Sequence, residues 1–248
     1  MIKAFCRKGV FFSFILTGCL ILFNVSCGLD TFYDLKAPNN VAHKPIYSSV
    51  DEIENYFEFF TIQSDTDNSG MMFLGTDVYY KIYKNPANLT SAVTSLQSLS
   101  NKDYNDKTSY SADSMIQKGF QPLRAAGQSG SVLVSGNVNK RVYIRLSNYN
   151  EYYSARITIG DDDSSSIGIP IRNIDSNSSF SFKEIKLTNP SLLPKSGDQD
   201  VNADNPSADY DNKWYVCMFA LAVGRDAVTL TPVYSNILYL GSVTISAD

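Results

Sequence analysis

The sequence predicts a mainly β fold, an antiparallel β-sandwich, and two observations lead to that prediction. Apolar and polar residues alternate in several runs rich in aromatic and β-branched side chains, as half-buried antiparallel strands require. Within residues 77–83, for example, Val78, Tyr80 and Ile82 share one face. Clusters of Asp, Asn, Ser and Gly, which favour turns, separate the runs. The predicted strands cover residues 56–62, 77–83, 142–146, 155–159, 180–187, 214–223 and 237–245.

Two segments between these runs have helical spacing instead. Residues 88–99 predict an amphipathic helix, because their apolar side chains lie three or four positions apart, at Leu89, Val93, Leu96 and Leu99. Residues 111–120 predict a second, shorter helix. Both segments are rich in Ser and Thr, which are weak helix formers, so we expect short helices that lie on a sheet.

The first 26 residues have the three parts of a secretory signal peptide. A basic start is followed by an apolar run over residues 10–23 and then by small residues. A permanent transmembrane helix needs about 20 apolar residues, and this run is shorter. We therefore predict export, with residues 27–50 forming a tether that leads into a first edge strand near residues 41–43.

Residues 24–27 resemble the lipobox of bacterial lipoproteins, in the relaxed form of spirochaete-type lipoproteins. In that family a small residue precedes a cysteine that is acylated before cleavage. Ser26 and Cys27 match these two positions, whereas Asn24 stands where Leu is usual. The resemblance implies that Cys27 carries acyl chains such as palmitate. Cys19 is the rival anchor, although cleavage there would leave the apolar residues 20–23 on the mature chain.

A lipidated cysteine implies a location in the cell envelope. The anchor would lie in the outer membrane or in the outer leaflet of the inner membrane, with the domain periplasmic or surface-exposed. The membrane is then a partner through the acyl chains on Cys27. An ordinary signal peptide followed by an incidental cysteine is the alternative.

Charge and cysteine content exclude two classes of protein. The full chain has 21 basic and 25 acidic side chains, and loss of the three basic residues in residues 1–26 leaves a net charge of −7. Neutralising phosphates requires clustered Lys and Arg, so nucleic acid is not an expected partner. Cys217 is the only cysteine after Cys27, which excludes a disulfide framework. We predict that Cys217, in an apolar run, is a buried small hydrophobe.

The chain offers few catalytic groups. His43 is the only histidine and lies in the predicted tether, where we expect it to be exposed to solvent. Without a second histidine there is no HExxH zinc motif, and no serine or cysteine relay beyond His43 itself. We therefore predict a non-enzymatic protein. The alternatives are an envelope hydrolase that uses carboxylates or a metal ion, and a small-ligand carrier.

Two segments are candidate sites. Asp198, Asp200, Asn202 and Asp204 place oxygen-bearing side chains at alternate positions, a spacing that can wrap calcium. Turn formation alone would also explain these residue types, and no other cofactor is expected. The second segment is an aromatic cluster at a predicted loop or hairpin tip, a candidate surface for a protein or carbohydrate ligand, formed by Tyr149, Tyr152 and Tyr153.

The ends of the chain resemble a fibronectin type III or immunoglobulin-like sandwich. Residues 38–41 resemble its first strand, 56–62 and 75–83 its B and C strands, and 215–223 its F strand. Residues 234–238 resemble the start of strand G, with Ile237 in place of the usual Pro. The resemblance implies one sandwich domain over residues 51–248, and the excess at about 85–210, with one or two short helices and extra strands, is a long insertion or a second β unit. Together these observations predict a lipid-anchored envelope protein with a binding or structural role.

Overall fold

The computed structural model describes ten segments of the chain, and the fold is reported for these alone. The predicted signal peptide, Cys19, Cys27, Tyr149 and Tyr152 lie outside them. The described residues are 35–48, 52–62, 70–106, 109–136, 139–148, 153–160, 166–174, 179–182, 194–204 and 213–246.

Five antiparallel strands form one sheet, here called the outer sheet. Its order is β1–β2–β7–β8–β9, so β1 is an edge strand. Phe57 and Phe59 of β2 point into the core, whereas Glu58 between them is half-buried on the other face. This alternation agrees with the predicted pattern. The strands are Asn40–His43 (β1), Phe57–Phe60 (β2), Arg141–Arg145 (β7), Arg156–Ile159 (β8) and Ser166–Gly168 (β9).

A second sheet, the central sheet, is built on two long antiparallel strands, β3 and β13. Their register runs from Tyr83 opposite Tyr215 to Met71 opposite Asp226. β14 and β15 pair with β13, while β4, β6 and the parallel β12 pair with β3. The strands are Met71–Tyr83 (β3), Gln121–Pro122 (β4), Val134–Ser135 (β6), Val201–Asn202 (β12), Lys213–Asp226 (β13), Pro232–Tyr234 (β14) and Leu238–Ser246 (β15).

A small third sheet is formed by Arg124–Ala125 (β5), Pro170–Asn173 (β10) and Ser179–Ser181 (β11). The chain passes from the outer sheet into this sheet at residue 169, because β9 pairs with β8 whereas β10 pairs with β5 and β11. Strands from residues 85–210 thus contribute to all three sheets. Residues 33–248 form one compact unit.

The outer and central sheets share one hydrophobic core. β2 and β7 contribute side chains from the outer sheet, and β3, β13 and β15 contribute them from the central sheet. The predicted inward face of β3 is confirmed, because Val78, Tyr80 and Ile82 are all fully buried. The cluster includes Phe57, Phe59, Val142, Ile144, Val78, Tyr80, Ile82, Val216, Met218, Ala220, Leu240 and Val243.

Two α-helices cover the other face of the central sheet. They are Pro86–Asp106 (α1) and Tyr110–Gln117 (α2), and their buried side chains pack against alternate residues of β13. β13 is therefore buried on both faces, which explains why its sequence is apolar without interruption. The helical residues in this layer are Leu89, Val93, Leu96, Ala112 and Met115; those of β13 are Tyr215, Cys217, Phe219, Leu221 and Val223.

Helix α1 is longer than the sequence predicts. The Oδ1 atom of Asn85 accepts a hydrogen bond of 2.8 Å from the backbone N–H of Ala87, and Pro86 occupies the first turn, where its missing N–H costs nothing. Asp103, in the polar part beyond residue 99, accepts a hydrogen bond of 2.6 Å from the N–H of Ser111. That bond joins the end of α1 to the start of α2.

The prediction of a mainly β protein with antiparallel sheets and two helices is confirmed for the described residues. In this part of the chain, neither helix has the length and apolar composition that a membrane span requires.

Candidate functional site

The outward side of the outer sheet carries a cluster of aromatic and cationic side chains. Neighbouring residues of a strand point to opposite faces. Tyr143 and Arg145, on either side of the inward-facing Ile144, therefore lie away from the core. We name this cluster the tyrosine–arginine face. It consists of His43, Tyr56, Tyr143, Arg145, Tyr153 and Arg156.

Three rings of this face stack across neighbouring strands. The ring centroids of His43 and Tyr56 are 3.8 Å apart with an interplanar angle of 14°. Those of Tyr56 and Tyr143 are 4.9 Å apart at 25°. Both faces of the Tyr56 ring are therefore covered. Burial raises the pKa of the Tyr56 hydroxyl, and the nearby carboxylates of Glu54 and Glu58 raise it further.

Arg145 holds the rings together from a buried position. Its Nε donates a hydrogen bond of 2.7 Å to the hydroxyl of Tyr143, and its Nη2 donates one of 2.8 Å to the carbonyl of Ile53. Its guanidinium carbon lies 5.4 Å from the ring centroid of Tyr56 and 5.1 Å from that of Tyr153. Cations within about 6 Å of a ring centroid are attracted to it, so Arg145 is bound by cation–π contacts as well as hydrogen bonds.

A second arginine lies directly across the sheet from the first. Arg156 of β8 is the register partner of Arg145 of β7, and its guanidinium carbon is 5.1 Å from the ring centroid of Tyr143. Like charges directly opposite each other destabilise a sheet. Arg145 and Arg156 lie side by side on this face, where hydrogen bonds and ring contacts offset their repulsion.

The prediction for His43 is wrong, because its side chain is partly buried rather than exposed to solvent. β1 pairs with β2, and this pairing places the imidazole over Tyr56. Its Nδ1 lies 2.8 Å from the carbonyl oxygen of Tyr56, and its Nε2 lies 2.8 Å from Oε2 of Glu54. His43 therefore connects the first edge strand to the turn Glu52–Glu54.

Tyr153 belongs to the predicted aromatic cluster, and the structure places it against Arg145. The other two tyrosines of that prediction lie outside the described residues. The sequence predicts that this cluster lies at the tip of a loop or hairpin. The register of β7 and β8 shows that the described member of the cluster adjoins a larger aromatic and cationic surface on the sheet itself.

The acidic segment binds an arginine. The Arg172 Nε donates to Oδ2 of Asp200 at 2.9 Å, and Nη2 donates to Oδ1 of Asp200 and Oδ2 of Asp198, each at 2.7 Å. Tyr80 donates its hydroxyl to Oδ2 of Asp200 at 2.8 Å. Burial lowers the pKa of Arg172, but the hydrogen bonds and charges of the two carboxylates outweigh it and raise that pKa overall.

The other two residues of the predicted calcium segment bind each other. Nδ2 of Asn202 donates a hydrogen bond of 2.7 Å to Oδ2 of Asp204. Over the described segments, no group of three or more His, Cys, Asp or Glu side chains is arranged to hold a metal ion. The prediction of calcium at Asp198, Asp200, Asn202 and Asp204 therefore gains no support, and the geometry assigns the first two residues to an ion-pair network.

A second buried carboxylate is also paired with an arginine. Asp77 accepts hydrogen bonds from Nη1 and Nη2 of Arg124 at 2.6 and 3.0 Å, and from the N–H of Leu133 at 3.0 Å. Burial raises the pKa of Asp77, and these hydrogen bonds offset part of the rise. Asp77 and Asp200 thus hold elements of the fold together, a role that sequence spacing does not reveal.

Cys217 is fully buried on the helix-covered face of β13. Burial raises the pKa of its thiol well above the ordinary value, which keeps the thiol protonated and unreactive. The prediction of a buried small hydrophobe is confirmed.

No protein-family model, no curated protein and no solved structure matches this chain.

Proposed function

We propose that this chain is a lipid-anchored protein of the cell envelope, without catalytic activity, that binds a partner protein through its tyrosine–arginine face. The observation that carries the proposal is the clustering of three tyrosines and two arginines on one outward sheet face. Tyr and Arg are the residue types enriched at protein interfaces and among the residues that dominate binding energy.

The geometry favours a protein over a carbohydrate. The ring of Tyr56 has His43 on one face and Tyr143 on the other, while Tyr143 has Tyr56 on one face and Arg156 on the other. A sugar ring that stacked on Tyr56 or Tyr143 would need one of these faces free. The ring edges and hydroxyls of the half-buried tyrosines and the half-buried Arg156 remain, and these suit hydrogen bonding to a protein surface, whereas Arg145 is fully buried and holds them in place.

The face is also preorganised for binding. Arg145 is held by hydrogen bonds to Tyr143 and to the carbonyl of Ile53, and His43 is held between Tyr56 and Glu54. Because these side chains are already ordered, a partner would not have to immobilise them on binding. Ordering a long side chain at an interface otherwise costs about 0.5–1.5 kcal/mol.

The anchor in this proposal is Cys27, and its support is the lipobox-like sequence that ends there. Each acyl CH₂ group buried in a bilayer contributes about 0.8 kcal/mol of binding free energy, so a multiply acylated cysteine would hold the chain firmly. The domain would then lie at the outer membrane or at the outer leaflet of the inner membrane.

We propose further that the outer and central sheets form a sandwich of the fibronectin type III or immunoglobulin kind. In support, β1 pairs with β2 as the first two strands of such domains do. β3, β13 and β15, which correspond to strands C, F and G of the resemblance, pair in that order. Val78 and Val216 on this second sheet point into the core shared with the first.

The binding proposal is tested by site-specific photocrosslinking in intact cells of the source organism. A photoreactive amino acid replaces Tyr153 on the face, and in a control it replaces the exposed Tyr110 at the start of α2. We expect one discrete crosslinked protein from position 153 and none from position 110. The crosslink should disappear when Arg156→Gln is added, with the melting temperature checked to show that the variant folds.

Equal crosslinking from the two positions, or a position-153 product that Arg156→Gln leaves unchanged, would contradict this role of the face. Turnover of a substrate by the purified protein, abolished by one substitution, would contradict the non-enzymatic part of the proposal.

A further inference from the structure

A β-hairpin exposes large apolar side chains at one end of the domain. Val228 and Leu230, in the turn between β13 and β14, are 87% and 59% exposed, and Met72 at the start of β3 is 49% exposed. Met72 is the register partner of Arg225, next to this turn. We name Met72, Val228 and Leu230 the apolar tip.

The turn that carries the tip is rigidly hydrogen-bonded. Oδ1 of Asp226 accepts from the N–H groups of Val228 and Thr229 at 2.8 and 2.7 Å. The Asp226 carbonyl accepts from the N–H of Leu230 at 3.0 Å, and the Asp226 N–H donates to the carbonyl of Thr231 at 2.9 Å. The apolar side chains are therefore presented in a defined geometry rather than on a loose loop.

Leu230 is placed there at a cost to the fold. Its φ of +60° lies in the left-handed region, which glycine and asparagine adopt readily and a leucine does not. Its exposed side chain does not repay this strain by packing into the core. Neither local conformation nor folding stability explains a leucine here, and strained residues of this kind occur where function requires them.

The tip is at the end of the domain where the chain arrives from its N-terminus. Leu35, the first described residue, is buried in a small cluster with Ile62, Met71 and Ala222. Met71 is in turn the register partner of Asp226 in the hairpin turn. Cys27 precedes Leu35 by eight residues, and eight extended residues reach at most about 29 Å. An anchor at Cys27 would therefore keep this end of the domain near the bilayer surface.

We propose that the apolar tip inserts into the interfacial layer of the bilayer in which Cys27 is anchored. The proposal rests on the lipid anchor of the proposed function. The attraction is apolar, because the three side chains of the tip carry no charge, and a net charge of −7 on the mature chain opposes attraction to anionic lipids. Val228, Leu230 and Met72 would together form a second membrane contact, and this contact would fix the orientation of a domain otherwise held by its lipid anchor alone.

Insertion would also position the binding face. β7 runs from Arg141, opposite Phe60, to Arg145 at the other end of the sheet. Arg145 and Arg156 therefore lie at the end of the outer sheet opposite to the apolar tip. With the tip in the bilayer, the tyrosine–arginine face would lie at the end of the domain farther from the membrane, where a partner protein can reach it.

The test measures the depth of an indole at the tip. The full chain is produced in its own envelope, extracted, and reconstituted into neutral phosphatidylcholine vesicles with or without acyl chains brominated to quench tryptophan. The native Trp214 is replaced by Phe, and Val228→Trp is compared with Ile53→Trp. Ile53 is a matched control because it is 46% exposed and lies beside the far end of the outer sheet.

We expect brominated lipid to quench the Val228→Trp variant several-fold more strongly than the Ile53→Trp variant. The same two substitutions are also measured with Trp214 retained, as a constant buried reference in case the Phe replacement disturbs folding. The acyl content of Cys27 is measured by mass spectrometry on each sample.

The outcomes separate the two proposals. If Cys27 is acylated and both indoles remain unquenched, the insertion is overturned while the anchor stands. If Cys27 carries no acyl group, the anchor fails and the insertion fails with it. If the Val228→Trp indole is shielded from aqueous quenchers in whole envelopes but is not quenched by brominated lipid, a protein covers the tip and the insertion is overturned.

Discussion

Replacing Asp200 by Asn tests whether the ion pair with Arg172 holds the fold together. Both side chains are fully buried, and the carboxylate accepts three hydrogen bonds, two from Arg172 and one from Tyr80. Removing one partner of a buried pair typically costs about 3–5 kcal/mol, because the other charge remains buried. The amide can still accept the hydrogen bond from Tyr80, so we expect a loss of about 3 kcal/mol, at the lower end of that range.

The assay is urea unfolding followed by the fluorescence of Trp214, the only tryptophan and a buried one. The free energy of unfolding falls by about 1–3 kcal/mol for each molar of urea. A loss of about 3 kcal/mol therefore lowers the urea concentration at the midpoint of unfolding by about 1–3 M. Asp198→Asn is the matched control. The Asp198 side chain is 19% exposed and contacts Arg172 through one oxygen, so its loss should cost about 1 kcal/mol or less.

Equal effects from Asp200→Asn and Asp198→Asn, or a loss below about 1 kcal/mol for Asp200→Asn, would refute this reasoning. Such a result would mean that the network is peripheral and that β10 is held to the central sheet by packing alone. Added calcium that restored the stability of either variant would support calcium binding by this segment.

Three further predictions concern the stability of the domain. Leu230→Gly should stabilise the fold by up to about 1 kcal/mol in urea unfolding, because glycine relieves the left-handed strain; a clear loss of stability would show that the leucine packs. Tyr239 is a second test: burial raises its pKa to about 12, so stability should fall as pH rises from about 10 to 12, where the unfolded phenol ionises first. Tyr239→Phe should flatten that fall, and an unchanged alkaline slope would contradict the assignment. Gly75→Ala should cost about 2–4 kcal/mol in thermal unfolding, because its Cβ would collide with a backbone carbonyl at a φ of +145°. Gly127→Ala, at a φ of +80° with open space around it, should cost about 1 kcal/mol; equal losses would mean that conformation alone matters.

The strands of the two main sheets could be predicted because each buries one face or both. Val78, Tyr80 and Ile82 alternate with polar or half-exposed neighbours, and this pattern depends only on local sequence. The continuous apolar run of β13 predicts a strand, but it does not predict which elements pack against each face of that strand. Its burial under α1 depends on long-range packing, which leaves no periodic signal within the strand.

The site was less accessible to prediction than the fold. The sequence indicates Tyr153 as part of an exposed aromatic cluster, but its contact with Arg145 depends on the register of β7 and β8. The sequence predicts an edge strand at residues 41–43 but not its partner, so the contact of His43 with Tyr56 follows only from the pairing of β1 with β2. The partner of Asp200, 28 residues earlier in the chain, follows from the third sheet and from no local motif.

The central claim is that the domain is held to a membrane by a lipid on Cys27. The most direct measurement is the intact mass of the protein extracted from membranes, with sequencing of its N-terminal peptide by mass spectrometry. We predict a chain that begins at Cys27 and carries acyl groups on that residue, and that Cys27→Ala abolishes both the acylation and the membrane association. A mature chain that begins at Cys19, or one without any acyl group, would contradict the claim.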